Sequence, residues 1–145
     1  MDDAPSRLIV DANVFVHGVT NPDAHKIRDR LRRWQESLVA FHMPVLWRYG
    51  VTNAIYRNVR AGVTTVDEGR RSLAEILDLP VRYHDDLDLH AEATAIALRL
   101  NAGAAYDAHY LALAARLDVP FYTADAKLYG PARPHFPTIE LVPVE

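Results

Sequence analysis

Four short apolar runs, Leu8 to Val10, Leu79 to Tyr83, Val119 to Tyr122 and Ile139 to Val142, limit most strongly what this chain can fold into. Each is too short for a buried helix and reads as a strand covered on both faces, the second weakened at its start by Pro80. Val14, Phe15 and Val16 read as the end of the first strand running into a loop. The stretches between the runs carry helical periodicity. Strands separated by one or two helices pair in parallel beneath crossovers that cover both faces. The expected fold is α/β, a three-layer α/β/α sandwich with a central parallel sheet, formed by residues 1–145 as a single domain.

The helices follow from spacing. After the turn Asn21-Pro22-Asp23, Ile27, Leu31, Trp34 and Leu38 mark an inward stripe, with Arg28, Arg30, Arg32 and Arg33 mostly outside it. A second helix starts near Pro44, buries Trp47, Val51, Ala54 and Ile55, and stops near Gly62. Thr65 and Glu68 form a capping box for a third, with Val66, Leu73, Ile76 and Leu77 inward. Asp85, Asp86 and Asp88 precede a fourth that buries Leu89, Ala93, Ile96, Ala97 and Leu100. An alanine-rich fifth begins near Tyr106, and a short sixth spans Asp125 to Tyr129.

Composition removes several classes of function. Without cysteine there are no disulfides, thiolate zinc sites, iron–sulfur ligands or Cys nucleophile, and a reducing, cytoplasmic setting fits best. The acidic opening Met1-Asp2-Asp3 is unlike a signal peptide, and no apolar run is long enough to span a bilayer. Net charge is −3, but residues 1–71 hold 11 basic against 8 acidic side chains and residues 72–145 hold 5 against 11. Fourteen of the sixteen basic residues are arginine, which suits bidentate phosphate contacts; an Ala- and Arg-rich composition also follows from codon usage alone. No Gly-x-Gly-x-x-Gly, Walker or Gly-x-Ser-x-Gly motif is present. The seven histidines lack metal-site spacing and read as surface or packing residues.

Ligands of open parallel sheets bind beyond the carboxyl ends of the strands. Asp11 directly follows the first strand, Asp125 follows the third after Thr123-Ala124, and Asp107 opens the helix leading into that strand. Singly, Asp107 and Asp125 also suit helix caps and Asp11 an Asx-turn. Together, carboxylates at ~4 Å repel by about 4 kcal/mol per pair at an effective dielectric near 20, so a convergent cluster requires a cation or a proton. Mg²⁺ or Mn²⁺, which prefer oxygen ligands, are the expected occupants.

Three segments carry a family resemblance: Val10-Asp11-Ala12-Asn13-Val14-Phe15-Val16, Tyr106-Asp107-Ala108-His109-Tyr110-Leu111-Ala112-Leu113-Ala114, and Tyr122-Thr123-Ala124-Asp125-Ala126-Lys127-Leu128. In combination they resemble the acidic motifs of the PIN-domain family, particularly VapC-like toxins of type II toxin–antitoxin systems. The resemblance implies a Mg²⁺- or Mn²⁺-dependent endoribonuclease, a homodimer and a cognate antitoxin that covers the site. Asp11, Asp107 and Asp125 would then be the catalytic, metal-holding residues, with Asn13 and Thr123 orienting them. The metal would polarise the scissile phosphate and activate a water.

One position departs from the pattern. The family has Glu in a Tyr-Glu-Val-x-Asn-Ala context, where this chain reads Tyr49-Gly50-Val51-Thr52-Asn53-Ala54. Glycine inside a helix costs about 1 kcal/mol relative to alanine, so Gly50 is odd on local grounds as well. It is either an inactivating substitution or a naturally altered site. The expected ribonuclease is therefore impaired. The rival expectation is a catalytically inactive PIN-fold module that binds RNA or an antitoxin; a third keeps catalysis but takes DNA. Trp34 and Trp47 read as core or dimer-contact residues, or with Tyr49 and Tyr56 as walls of an antitoxin groove.

Overall fold

The structure, a computed structural model, describes residues 5–143; the acidic opening Met1-Asp2-Asp3 lies outside them. Five strands form one wholly parallel sheet: β1 (Arg7–Val10), β2 (Ala40–Pro44), β3 (Val81–His84), β4 (Phe121–Thr123) and β5 (Ile139–Leu141). Their spatial order is β3-β2-β1-β4-β5, so the chain winds outward from β1 to β3 and then returns to β4 on the other side of β1. Right-handed crossovers with opposite directions of travel place their helices on opposite faces. This is the expected α/β sandwich.

Seven helices supply the layers: α1 (Ala12–Thr20), α2 (His25–Glu36), α3 (Leu46–Arg60), α4 (Val66–Leu77), α5 (Leu87–Arg99), α6 (Ala108–Leu117) and α7 (Ala126–Ala132). Helices α1 to α4 pack against one another, while α5 packs on α6, which lies on β1, β2 and β4. Leu8, Ile9 and Val10 are fully buried, as a central parallel strand requires. On one side the core is aromatic: the Phe15 ring meets Phe41 and Trp47 edge-on at 5.4 and 5.5 Å, and Trp34 meets Phe41 at 6.3 Å.

Two segments differ from the sequence reading. Val14, Phe15 and Val16 are not strand or loop but the middle of α1, all three buried because α1 packs against the sheet and both neighbouring helices. A short apolar run covered on every side has no period to read. Strand β2 was not expected: Leu38 lies beyond α2 at φ 54° and fully in solvent, and Pro44 ends β2 rather than opening a helix. His42 breaks the apolar signal of Phe41 and Met43, yet it is itself buried.

Local signals elsewhere hold. The Thr65 hydroxyl accepts from the Glu68 N–H at 3.1 Å, and Asp86 accepts from the Leu89 N–H at 3.1 Å, capping α4 and α5. Gly62, just past α3, has φ 76°, a conformation that glycine adopts without strain. Val66 is exposed rather than inward, since the inner face of α4 is carried by Ile76 with Leu73 and Leu77 beside it. Among the described residues no helix is long and apolar enough to cross a membrane.

Candidate functional site

The sheet reverses its winding between β1 and β4, and the strand ends there open the crevice where ligands of such folds bind. Asp11 leaves β1 at that point and is almost fully buried. Its Oδ2 accepts from the Thr123 hydroxyl of β4 at 2.9 Å, a bond between residues far apart in sequence. The Asn13 N–H also supports the Asp11 carboxylate, whereas the Asn13 side chain is exposed and lines the adjoining groove. Burial dominates these bonds: it pushes Asp11 up to about 6, helped by the charges of Asp107 and Asp125.

Asp107 stands at the start of α6 without making a capping bond, and faces a cavity of about 120 Å³ shared with Asp11, Gly50, Asn53, Arg57 and Tyr110. Desolvation in the crevice, and then the charge of Asp125, raise its carboxyl above the usual range. Asp125 is committed elsewhere. Its Oδ1 accepts from the N–H groups of Lys127 at 2.9 Å and Leu128 at 3.4 Å, capping α7, while its own N–H donates to the Thr123 hydroxyl at 3.0 Å. The three aspartates thus share one rim of the sheet and influence each other's charge, but their side chains have different structural duties.

The expectation of a metal centre is corrected here. Among the described residues no group of three or more His, Cys, Asp or Glu side chains is arranged to hold a metal ion. Asp11, Asp107 and Asp125 do not form a ligand set for Mg²⁺ or Mn²⁺, and Gly50 has no side chain to complete one. The reading of this chain as a magnesium-dependent, metal-binding ribonuclease, a hydrolase of phosphodiester bonds, is withdrawn with it. The physical reason is that Asp125 Oδ1 caps α7 and Asp11 Oδ2 is held by Thr123, so the side chains are not arranged as one ligand set.

Three site residues escaped the sequence reading. Asn53 and Arg57 lie on the face of α3 that carries Gly50, at the helical spacings of three and seven, so projecting α3 from Gly50 would have found them. Tyr110 is fully buried and stacks on Phe121 with ring centroids 5.0 Å apart. Burial and the charges of Asp11 and Asp107 push its hydroxyl upward. Arg57 also lines a larger groove of about 720 Å³, together with Asn13, His17, Asn58 and Asp125.

The profile of the PIN domain matches residues 8–134. The chain belongs to the PIN-domain family. Comparison with curated protein sequences gives no match. Among solved structures, this PIN-domain chain is similar to PAE2754 from Pyrobaculum aerophilum, with a TM-score of 0.65 and 21% identity over 86% of this chain and 78% of that one. It is also similar to VapBC2 from Rickettsia felis, solved bound to a promoter DNA fragment, with a TM-score of 0.63 and 11% identity over 96% and 99% of the chains. A third is VapC20 from Mycobacterium tuberculosis, described as a sarcin-ricin loop cleaving toxin, with a TM-score of 0.60 and 17% identity over 89% and 95%. At these identities the likeness is one of fold.

Proposed function

We propose that this chain is a catalytically inactive PIN-fold binding module whose partner is an antitoxin-type protein. The observation that carries the reading is the strand-end crevice, where Asp11 and Asp107 face Gly50 and Arg57 in place of a third carboxylate. A desolvated acidic corner without a metal complements a cationic side chain offered by a partner. In this reading Asp11, Asp107 and Asp125 are contact residues, and Thr123 and Asn13 orient them. Likeness of fold to VapBC2 and to VapC20, the latter described as a toxin, supports the reading.

Trp34 and Trp47 are buried in the core and leave the partner's apolar contacts to Tyr49 and Tyr56, which are exposed at a helical spacing of seven on α3. A homodimer belongs to the same proposal, as does a single domain over residues 1–145. RNA is the second reading, favoured by Arg57, Asn13, Asn58 and His17 in the groove of mixed lining that adjoins the crevice.

Co-expression of the full chain with a small antitoxin-type protein tests the proposal. A stable complex weakened by Asp11→Asn and Asp107→Asn is expected, with a labelled single-stranded RNA left intact in Mg²⁺ or Mn²⁺. Cleavage of that RNA, abolished by Asp11→Asn, would overturn the inactive reading. A complex indifferent to both substitutions would remove the crevice from the interface.

A further inference from the structure

Asp107 lines two spaces. One is the acidic crevice, and the other is a cavity of about 360 Å³ with Ala97 and Leu100 at the end of α5, Ala108 and Leu111 of α6, and Leu128 and Pro131 of α7 as its apolar walls. We propose that this cavity is the anchor pocket for a leucine or phenylalanine side chain, carried by the partner protein beside the basic residue that it offers to Asp107. The inference rests on the reading of the crevice as a protein-binding site and adds the second half of what the partner must present.

The space exists because the chain around it is built from small residues. Between α5 and α6 run Asn101, Ala102, Gly103 and Ala104, all of which line the cavity, and the last three have no side chain long enough to fill it. A Cβ added at Gly103 would meet nothing within 4 Å. An apolar space of about 150 Å³ takes a benzene ring, so a cavity of about 360 Å³ accepts a leucine or phenylalanine side chain whole. Tyr106 borders the same cavity and is 72% exposed. Tyrosine is enriched where proteins meet, because its ring offers a large contact area with a polar tip.

Charge decides what stands beside the apolar group. Asp107 and Asp125 line the cavity against Lys127, a balance of one negative charge. Asp125 Oδ1 is spent on capping α7, whereas Asp107 makes no capping bond. Desolvation, and then the charge of Asp125, already disfavour the Asp107 carboxylate, and an added cation relieves that cost. A neutral or acidic neighbour would not. Because Asp107 is common to both linings, side chains within two residues of each other on an extended partner segment reach both spaces. The apolar side chain supplies affinity and the cation supplies orientation.

Selection of a phage-displayed random peptide library on the purified full chain tests the pocket. Selected sequences should carry arginine or lysine within two residues of leucine or phenylalanine. One of them, synthesised with a fluorescent label, then serves as the ligand in anisotropy titrations. Replacing its apolar residue by alanine should weaken binding about tenfold or more, the usual effect of burying one such side chain. Ala104→Trp, at an exposed position, should weaken the parent peptide to a similar extent and the alanine-substituted peptide hardly at all. Circular dichroism checks that this variant folds, and the substitution in the peptide keeps the test standing if it does not. Basic peptides selected without an apolar neighbour, or a parent peptide indifferent to Ala104→Trp, would overturn the anchor pocket and leave the crevice reading in place. Selected peptides that lack a basic residue, or a selection that returns no binder, would overturn both.

Discussion

The Thr123 hydroxyl donates to Asp11 Oδ2 at 2.9 Å, joining β4 to β1 where the sheet changes its direction of winding. It supports a carboxylate that burial has already made hard to ionise, with Asp11 raised from 3.8 to about 6. The folded state therefore holds the proton more tightly than the unfolded chain does. This contribution to stability is fully present below pH 3.8 and is lost as pH rises through about 6.

Asp11→Asn should accordingly stabilise the protein at pH 8, by up to about 3 kcal/mol at 1.36 kcal/mol per unit. The asparagine oxygen still accepts from Thr123. Near pH 4 the gain should vanish. Urea unfolding at the two pH values reads the difference, and a destabilised Asn variant at pH 8 would contradict the assigned cost of burying the charge.

Thr123→Val should act in the opposite sense. It removes the donor to Asp11 and the acceptor of the Asp125 N–H, leaving two polar groups without these partners. A loss of about 1–3 kcal/mol is expected. The loss should be larger at pH 8, where Asp11 is ionised, than at pH 4. Equal losses at both would show that the hydroxyl does not support the carboxylate charge.

A second titration runs against that of Asp11. His42 on β2 and His84 on β3 share one hydrogen bond at 3.0 Å between ring nitrogens. Desolvation lowers both, followed by the charge of His84 for His42 and by that of Arg116 for His84. A histidine lowered below 6.5 stabilises the fold above that pH, and the contribution is lost as pH falls. His84→Gln should flatten the decline between pH 7 and pH 5 while leaving the Asp11 trend in place. Thermal melts across that range test this, and an unchanged slope would remove the pair as its cause.

Gly50 offers a test of charge in the crevice. A Cβ there would lie 3.1 Å from the Ala12 Cβ, so α1 and α3 must part by a few tenths of an ångström. The better helix propensity of alanine, about 1 kcal/mol, opposes that squeeze. Gly50→Ala should therefore change stability little. Gly50→Glu should melt lower than Gly50→Gln at pH 8, because a third carboxylate joins Asp11 and Asp107, and the gap should close near pH 4. Identical melting of the two at pH 8 would mean that residue 50 does not face the acidic corner.

Much of this architecture was readable without coordinates. The apolar runs of β1, β3, β4 and β5, the Thr65 cap and the glycine stop after α3 are local signals, in which neighbouring residues decide the conformation. The rim position of Asp11, Asp107 and Asp125 also followed, because strand ends fix where such residues emerge. What they do there did not follow. The sequence motif led to a metal centre, whereas Asp125 spends an oxygen on α7 and Asp11 is held by Thr123.

The sequence by itself determined the alternation of strands and helices, the membership of the PIN-domain family and the gap at Gly50. Only the tertiary structure decided that Val14 to Val16 are helical, that Ala40–Pro44 is a strand, and which partner each carboxylate and histidine takes. Periodicity and caps are short-range properties, legible in a window of a dozen residues. Whether a buried carboxylate faces a hydroxyl, a helix end or a guanidinium depends on residues up to 112 positions away, and no local pattern encodes that meeting.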